Sequence, residues 1–514
     1  MNISIEIEKL LIYAVNNKLI SPLDVTFTRN KMMDLLKVEE PYSGVIENEN
    51  FDTPVEILNN ILDYCYEYKL IEENTPIYRD LMDAKIMGLL IDRPSNIINQ
   101  FNTLKVKSPK LATDYFYSLC IKSNYIRMNR IKKNIEFIGN TDIADFKITI
   151  NMSKPELDQK EVEKMKSSKK AAYPKCMLCA ENVGYAGRIN HPARQNHRVI
   201  PFNVGNDTWD FQYSPYVYYN EHCILFSNEH RPMKVNKSTF ETLFDFVDQI
   251  PHYFIGANAG MPIIGGSILS HDHFQGGNEA FPIECAKEEV KLKNKEFEDV
   301  EISIIKWPIG TIRLVSKNRE NLIELSTKLL NEWQNYKDEK LGIIPFSKTD
   351  DGIKPHNGIT PLVRINDKGQ YVVHLAFRNN RTSKDHPEGI FHPHENLHHI
   401  KKEGIGVIEV MGQAILPARL NKSFESIKNI LIKTEVEFND NIKNIETELE
   451  PHMDWIKQLI SKYGFEVDET EADNIIKKEI ADIYLQILTD AGVFKYTKEG
   501  ISGFKRFLST MGIE

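Results

Sequence analysis

The run Gly265-Gly266-Ser267-Ile268-Leu269-Ser270-His271-Asp272-His273-Phe274-Gln275-Gly276-Gly277 sets two histidines two residues apart, with a glutamine two further on. In extended backbone, residues i, i+2 and i+4 face one side. The chain from Ile263 to Phe274 is therefore expected to be a glycine-led strand ending in aligned polar side chains. Glycines on both flanks let a ligand phosphate approach the backbone closely. A strand end of this kind is a costly way to build a core. It suits a site that transfers a phosphoryl-type group.

Around this run the texture is α+β. Pro215–Tyr219 and His222–Phe226 are β-rich, and Phe240–Phe254 has amphipathic helical spacing. These fall in an expected catalytic domain over 171–295. A second β-rich domain is expected over 296–420, with strands at 302–307, 311–315, 360–364 and 371–378 and a helix over 321–336. Its strand–helix–strand order echoes the first block and suggests an internal duplication. Residues 1–170 are expected to form a helical N-terminal region, with Pro54 opening one helix and a charged linker over Lys154–Lys170. Residues 421–514 are expected to be a helical C-terminal segment, and the 405–419 run to pack as core.

Composition bounds the function. A chain of 514 residues holds roughly two to four domains, and 41% hydrophobic with 27% charged residues is the balance of a soluble globular protein. The net charge of -9 supplies no basic field to attract nucleic acid. No apolar run approaches the roughly 20 residues of a membrane span. The acidic, amphipathic N-terminus is unlike a secretory signal, and six cysteines suggest no disulfide framework. Both readings point to a cytoplasmic location.

Cys176-Met177-Leu178-Cys179 can chelate a borderline metal through two thiolates. Closing a tetrahedron needs two more ligands, and His230 and His271 lie in the same expected domain. A redox dithiol is the competing reading of the pair, and a surface loop is the competing reading of His230. With His271 on zinc, His273 is left to attack phosphorus as a neutral imidazole. A backbone carbonyl accepting from its other ring nitrogen would fix the tautomer. Gln275 can donate its amide to a non-bridging oxygen, and Asn258 and Gly260 can add donors. The alternative makes both His271 and His273 metal ligands. Arg194 and Arg198 could clamp a diphosphate or belong to a solvated basic loop. His356–Pro361 and Arg378–Arg381 look turn-rich and able to face a sugar phosphate. Phe391–His399, with His392 and His394, is a further H-x-H run on a loop.

At Cys176/Cys179, His230 and His271-Asp272-His273-Phe274-Gln275, in that order, the chain resembles the galactose-1-phosphate uridylyltransferases. These belong to the histidine-triad-related superfamily. Cys-Met-Leu-Cys-Ala-Glu-Asn at 176–182 adds to the match. The common form is matched over roughly 173–420, and the helical N-terminal portion resembles the second, Gram-positive class. The resemblance implies histidine-triad-like antiparallel sheet domains and a ping-pong reaction. His273 would take the uridylyl group from UDP-glucose and pass it to galactose 1-phosphate. It also implies structural zinc on Cys176, Cys179, His230 and His271, roles for Gln275 and Asn258, and a homodimer. Three departures stand out. Asp272 replaces proline, Phe274 replaces a small residue, and Ile268 stands where the common form has a phosphate-contacting serine, with Ser267 and Ser270 as substitutes. For the common form's second metal, Glu288, His356 and His374 match, but Ala376 occupies the last ligand position. A related nucleotidyl phosphorylase or hydrolase is the alternative enzyme, and a zinc-stabilised nucleic-acid-binding protein the alternative of another class.

Overall fold

The computed structural model describes residues 2–47, 50–153, 159–168, 171–205, 207–350, 352–441 and 449–514. The chain divides into two compact units, one of residues 1–133 and 153–231 and one of residues 134–152 and 232–514.

In the first unit, helices Ile3–Asn16, Val25–Leu36, Val55–Glu67, Pro76–Gly88, Pro94–Lys107 and Pro109–Lys122 precede three antiparallel strands, Ile200–Val204, Asp207–Tyr213 and Cys223–Ser227. Three of these helices open on proline, whose missing N–H is an orphan at that position anyway. Phe101 and Phe116 pack against Phe211, with Phe202 and Tyr213 completing the aromatic cluster. Such rings bury large apolar areas and favour tilted and edge contacts. The helix pair is thereby fixed on the sheet that carries the chain toward His230. In the charged segment, Gln159–Ser167 is helical, while Lys154–Asp158 and Lys169–Lys170 lie outside the described residues.

In the second unit, seven antiparallel strands run in the order His273–Gly277, Phe254–Gly256, Asn357–Ile365, Tyr371–Asn379, Thr311–Ser316, Glu301–Ile305, Glu288–Leu292. Helices Lys237–Gln249 and Arg319–Asn335 pack on this sheet. Trp333, fully buried, donates its indole N–H to Gly358 O at 2.9 Å and meets Phe377, Phe494 and Phe507 edge-on or tilted. A second, three-stranded sheet joins Ile135–Asn140 and Asp145–Asn151 to Gln413–Pro417, the last pair parallel. The class is α+β with largely antiparallel sheets, as expected, and the described residues beyond Pro417 are mainly helical.

Three local expectations are corrected. The first 150 residues are not all helical, because 135–151 form two strands whose outer partner is Gln413–Pro417. Pro215–Tyr219 is a turn, since Val217 sits at φ 42. The strand carrying the histidines begins only at His273. Ile263 (φ 75) and Ile268 (φ 65) lie in the left-handed region, where β-branched residues are strained and no strand can continue.

Candidate active site and metal centre

In the first unit, the C-x-x-C turn is built around Asn182. Its amide donates to Cys176 O and Cys179 O, each at 2.8 Å, and its oxygen accepts from His191 Nε2 at 2.7 Å. The Leu178 N–H points at Cys176 Sγ, 3.4 Å away. The two sulfurs are 3.5 Å apart, and Cys179 Sγ lies 3.1 Å from His230 Nδ1. Burial and the neighbouring Cys176 thiol push Cys179 up to about 12. Two thiolates this close need a cation to hold them both ionised. Two sulfurs and an imidazole are borderline-soft donors, so the Cys/His group fits a metal such as zinc. The sequence displayed Asn182 within its motif but did not disclose its task.

In the second unit, His273 opens the strand that pairs with Phe254–Gly256. Its Nδ1–H donates to His271 O at 2.8 Å, so Nε2 keeps the lone pair. Burial holds the imidazole down at about 4, which keeps it neutral near pH 7. Gln275 shares its face by strand alternation. Phe274 points the other way and is 2% exposed, which gives a packing reason for a large residue there. Gly256 pairs with Gln275, and Asn258 follows the end of that strand by two residues.

Asn258 is itself fixed, because its Oδ1 accepts from Val407 N at 2.8 Å. A Cβ on Gly266 would stand 2.4 Å from Asn258 Nδ2. Glycine is therefore required for the 261–270 loop to lie against this amide. Gly260 turns the chain at φ 66, and Ser267 and Ser270 are exposed on the same loop. His271 follows them through a turn, its N–H reaching Ile268 O at 3.3 Å.

The remaining residues separate. Arg198 is buried in the first unit and donates to the carbonyls of Asp92, Gln195 and His197. Its guanidinium is a packing element there. Arg194 lies over the Tyr125 ring at 5.4 Å, and its guanidinium has no hydrogen bond or ion pair among the described residues. Arg378 to Arg381 do not form an open turn. Arg378 is buried and donates to Ile405 O at 3.0 Å, while Asn379, Asn380 and Arg381 donate to Ile344 O, Pro262 O and Gly342 O. His356 hydrogen-bonds through both nitrogens, to Asn380 and Ser347. His374 accepts from Arg313 Nε at 2.9 Å, and Glu288 pairs with Lys291.

The chain matches known proteins along nearly its whole length. The profile of the galactose-1-phosphate uridyl transferase N-terminal domain covers residues 18–232, and that of the C-terminal domain covers 245–442. The galactose-1-phosphate uridylyltransferase of Caldanaerobacter subterraneus subsp. tengcongensis is 52% identical over 99% of this chain and 98% of its own. That of Bacillus subtilis is 41% identical over 100% and 98%. Among solved structures, a crystal structure of yeast Ap4A phosphorylase aligns with a TM-score of 0.33 and 9% identity, over 62% of this chain and 89% of that one. The full-length identities and both domain profiles agree, and the chain belongs to the galactose-1-phosphate uridylyltransferase family.

Proposed function

We propose that this chain exchanges UMP between UDP-glucose and galactose 1-phosphate, in two displacements through His273, as a cytoplasmic step of the Leloir route of galactose metabolism. The observation that carries the reading is the His273 tautomer. With Nδ1–H committed to His271 O, Nε2 is the nucleophile. Nε2 attacks the α-phosphorus of UDP-glucose. A P–N bond forms, the P–O bond to glucose 1-phosphate breaks, and the electron pair leaves with the sugar phosphate. The phosphate oxygen of galactose 1-phosphate then attacks the same phosphorus and returns the pair to Nε2.

Gln275 and the Asn258 amide donate to the non-bridging oxygens, where charge grows in the transition state. The Gly260 N–H and the Ser267 and Ser270 hydroxyls offer further donors from the loop. Arg194 takes the diphosphate, a role supported by a guanidinium that lies over Tyr125 and makes no hydrogen bond or ion pair among the described residues. Cys176, Cys179 and His230 would hold zinc with His271 as fourth ligand. Bound there, the metal supplies structural closure of the segment leading into His273. The same family reading makes the enzyme a homodimer.

The test is incubation with UDP-glucose labelled in the uracil ring, without acceptor, followed by peptide mass analysis. A uridylyl adduct on His273 that galactose 1-phosphate discharges is expected. His273→Gly should form no adduct while retaining metal. An adduct elsewhere, or exchange persisting in that variant, refutes the assignment.

A further inference from the structure

We propose a second metal site, formed by Glu388, His392 and His398, that takes a divalent first-row transition ion such as zinc. Ligand atoms of the three lie within 4.8 Å of one another. The tempting sequence pair was His392 with His394, two residues apart, but the loop separates them. His394 stacks on His386 with centroids 4.4 Å apart and faces the buried Asp490 carboxylate, 3.4 Å from its Nδ1. His398 takes its place, with its ring edge-on to His392 and its Nε2 3.4 Å from Glu388 Oε2.

One imidazole is prepared as a ligand by a carbonyl. His392 Nδ1 lies 3.1 Å from Pro393 O, and a carbonyl only accepts, so this ring spends its Nδ1–H there and keeps Nε2 as a lone pair. His398 Nε2 lies 2.8 Å from the same oxygen and 3.4 Å from Glu388 Oε2, and would exchange the carbonyl for the ion on deprotonation. Metal-ligating histidines carry this kind of partner on the second nitrogen. Gly389, at φ 131, permits the crowding, because a Cβ there would stand 2.8 Å from His392 Cβ.

The site is graded in exposure. The His392 side chain is buried, whereas those of His398 and Glu388 are 17% and 43% exposed. That arrangement gives an entry path and leaves positions for water. Lys402 Nζ sits 3.1 Å from Glu388 Oε1 and would give way to the ion. Bonds of about 2.0–2.2 Å at tetrahedral angles put ligand atoms roughly 3.4 Å apart, a distance the rim side chains reach by rotating inward. Two imidazoles and one carboxylate favour such an ion over calcium or magnesium.

The ion would stiffen the loop that backs the 261–270 segment. A Cβ on Gly389 would meet Ile263 Cγ2 at 3.0 Å, and one on Gly404 would meet Ile263 O at 2.4 Å. The histidine loop therefore rests directly against the strained residue of the substrate loop.

Cobalt titration of the metal-depleted full chain tests the proposal. Thiolate-to-cobalt charge transfer reports the cysteine site, and ligand-field absorption without thiolate character reports this one. Wild type should show both signals. Glu388→Gln and His398→Gln, substitutions at the exposed rim, should keep the thiolate signal and weaken the other binding event by at least about tenfold, the cost already typical of losing an outer-shell partner. His394→Ala should bind as wild type. The proposal is overturned if wild type binds cobalt only with thiolate character. It is equally overturned if the two rim variants bind as wild type, or if His394→Ala removes the second event.

Discussion

Replacing Asn182 by alanine should loosen the metal centre without touching a ligand. The side chain makes three short hydrogen bonds, two to the carbonyls of the cysteines and one from His191. It is 2% exposed, so water cannot readily substitute. At about 1 kcal/mol for each bond, the loss approaches 3 kcal/mol of folding free energy. Cys179 O would keep the Asn182 backbone N–H at 3.0 Å, so the uncompensated loss falls on Cys176 O and His191. The sulfurs would lose their preset spacing, and metal affinity should fall by about 10- to 100-fold, the usual range for a partner that orients ligands. Asn182→Asp should be worse, because it turns a carboxylate oxygen toward the two carbonyls in place of the N–H donors. Competition with a chromophoric chelator measures the affinity, and thermal unfolding of the metal-loaded protein measures the stability. An alanine variant that holds metal as tightly as wild type and melts at the same temperature would refute the claim that Asn182 builds the turn.

Gly266→Ala should cut exchange more than tenfold and cost about 1–3 kcal/mol by overpacking, because its Cβ would meet an Asn258 side chain already fixed by Val407; steady-state rates beside urea midpoints check this, and an unimpaired variant would show that the loop yields freely. Stability should fall as pH drops below about 6.5, by about 1.4 kcal/mol per unit for each histidine held neutral. His374 is one of these, since burial and the guanidinium of Arg313 hold it well below the usual imidazole range. The folded state refuses a proton that the unfolded chain accepts, so the contribution is present above the unfolded value and lost on acidification. His374→Gln should flatten the slope of the urea midpoint between pH 6.5 and 5, and an unchanged slope would remove His374 from the account.

The Cys/His group was legible as a group because its residues are scarce types, several of them at short spacings. Cys176 with Cys179, and His271 with His273 and Gln275, each constrain geometry within a few residues. The fold was legible where amphipathic spacing is strong, as in Lys237–Gln249 and Arg319–Asn335. It was not legible where a strand depends on a distant partner. Phe146, Ile148 and Ile150 alternate with strand period, but so short a run names no partner, and Gln413–Pro417 lies more than 260 residues on. The 263–272 segment failed for another reason. Its isoleucines have high strand propensity, yet Ile263 and Ile268 are held at positive φ by the loop around them. Sequence pattern reports preference, and a strained loop is a place where preference is overruled. Asn182 and Pro393 were missed because their work is done by an amide and a backbone carbonyl whose partners only the folded turn reveals.

On the proposed role of His273 as nucleophile, its tautomer follows from one backbone atom. Burial alone would keep His273 neutral, but a neutral imidazole has two tautomers, and only one leaves Nε2 able to attack. The choice is made by His271 O, 2.8 Å from Nδ1. The strand begins at His273, so this carbonyl belongs to the turn and not to the ladder. The His271 N–H to Ile268 O bond closes the turn, and on the proposed ligand set the His271 side chain holds it too. The spacing of the two histidines then has a physical reason beyond sharing a face. The first ring anchors the turn, its own carbonyl orients the second ring, and the second ring carries the lone pair. Moving the histidines one residue closer or further apart would break that relay even with both side chains retained.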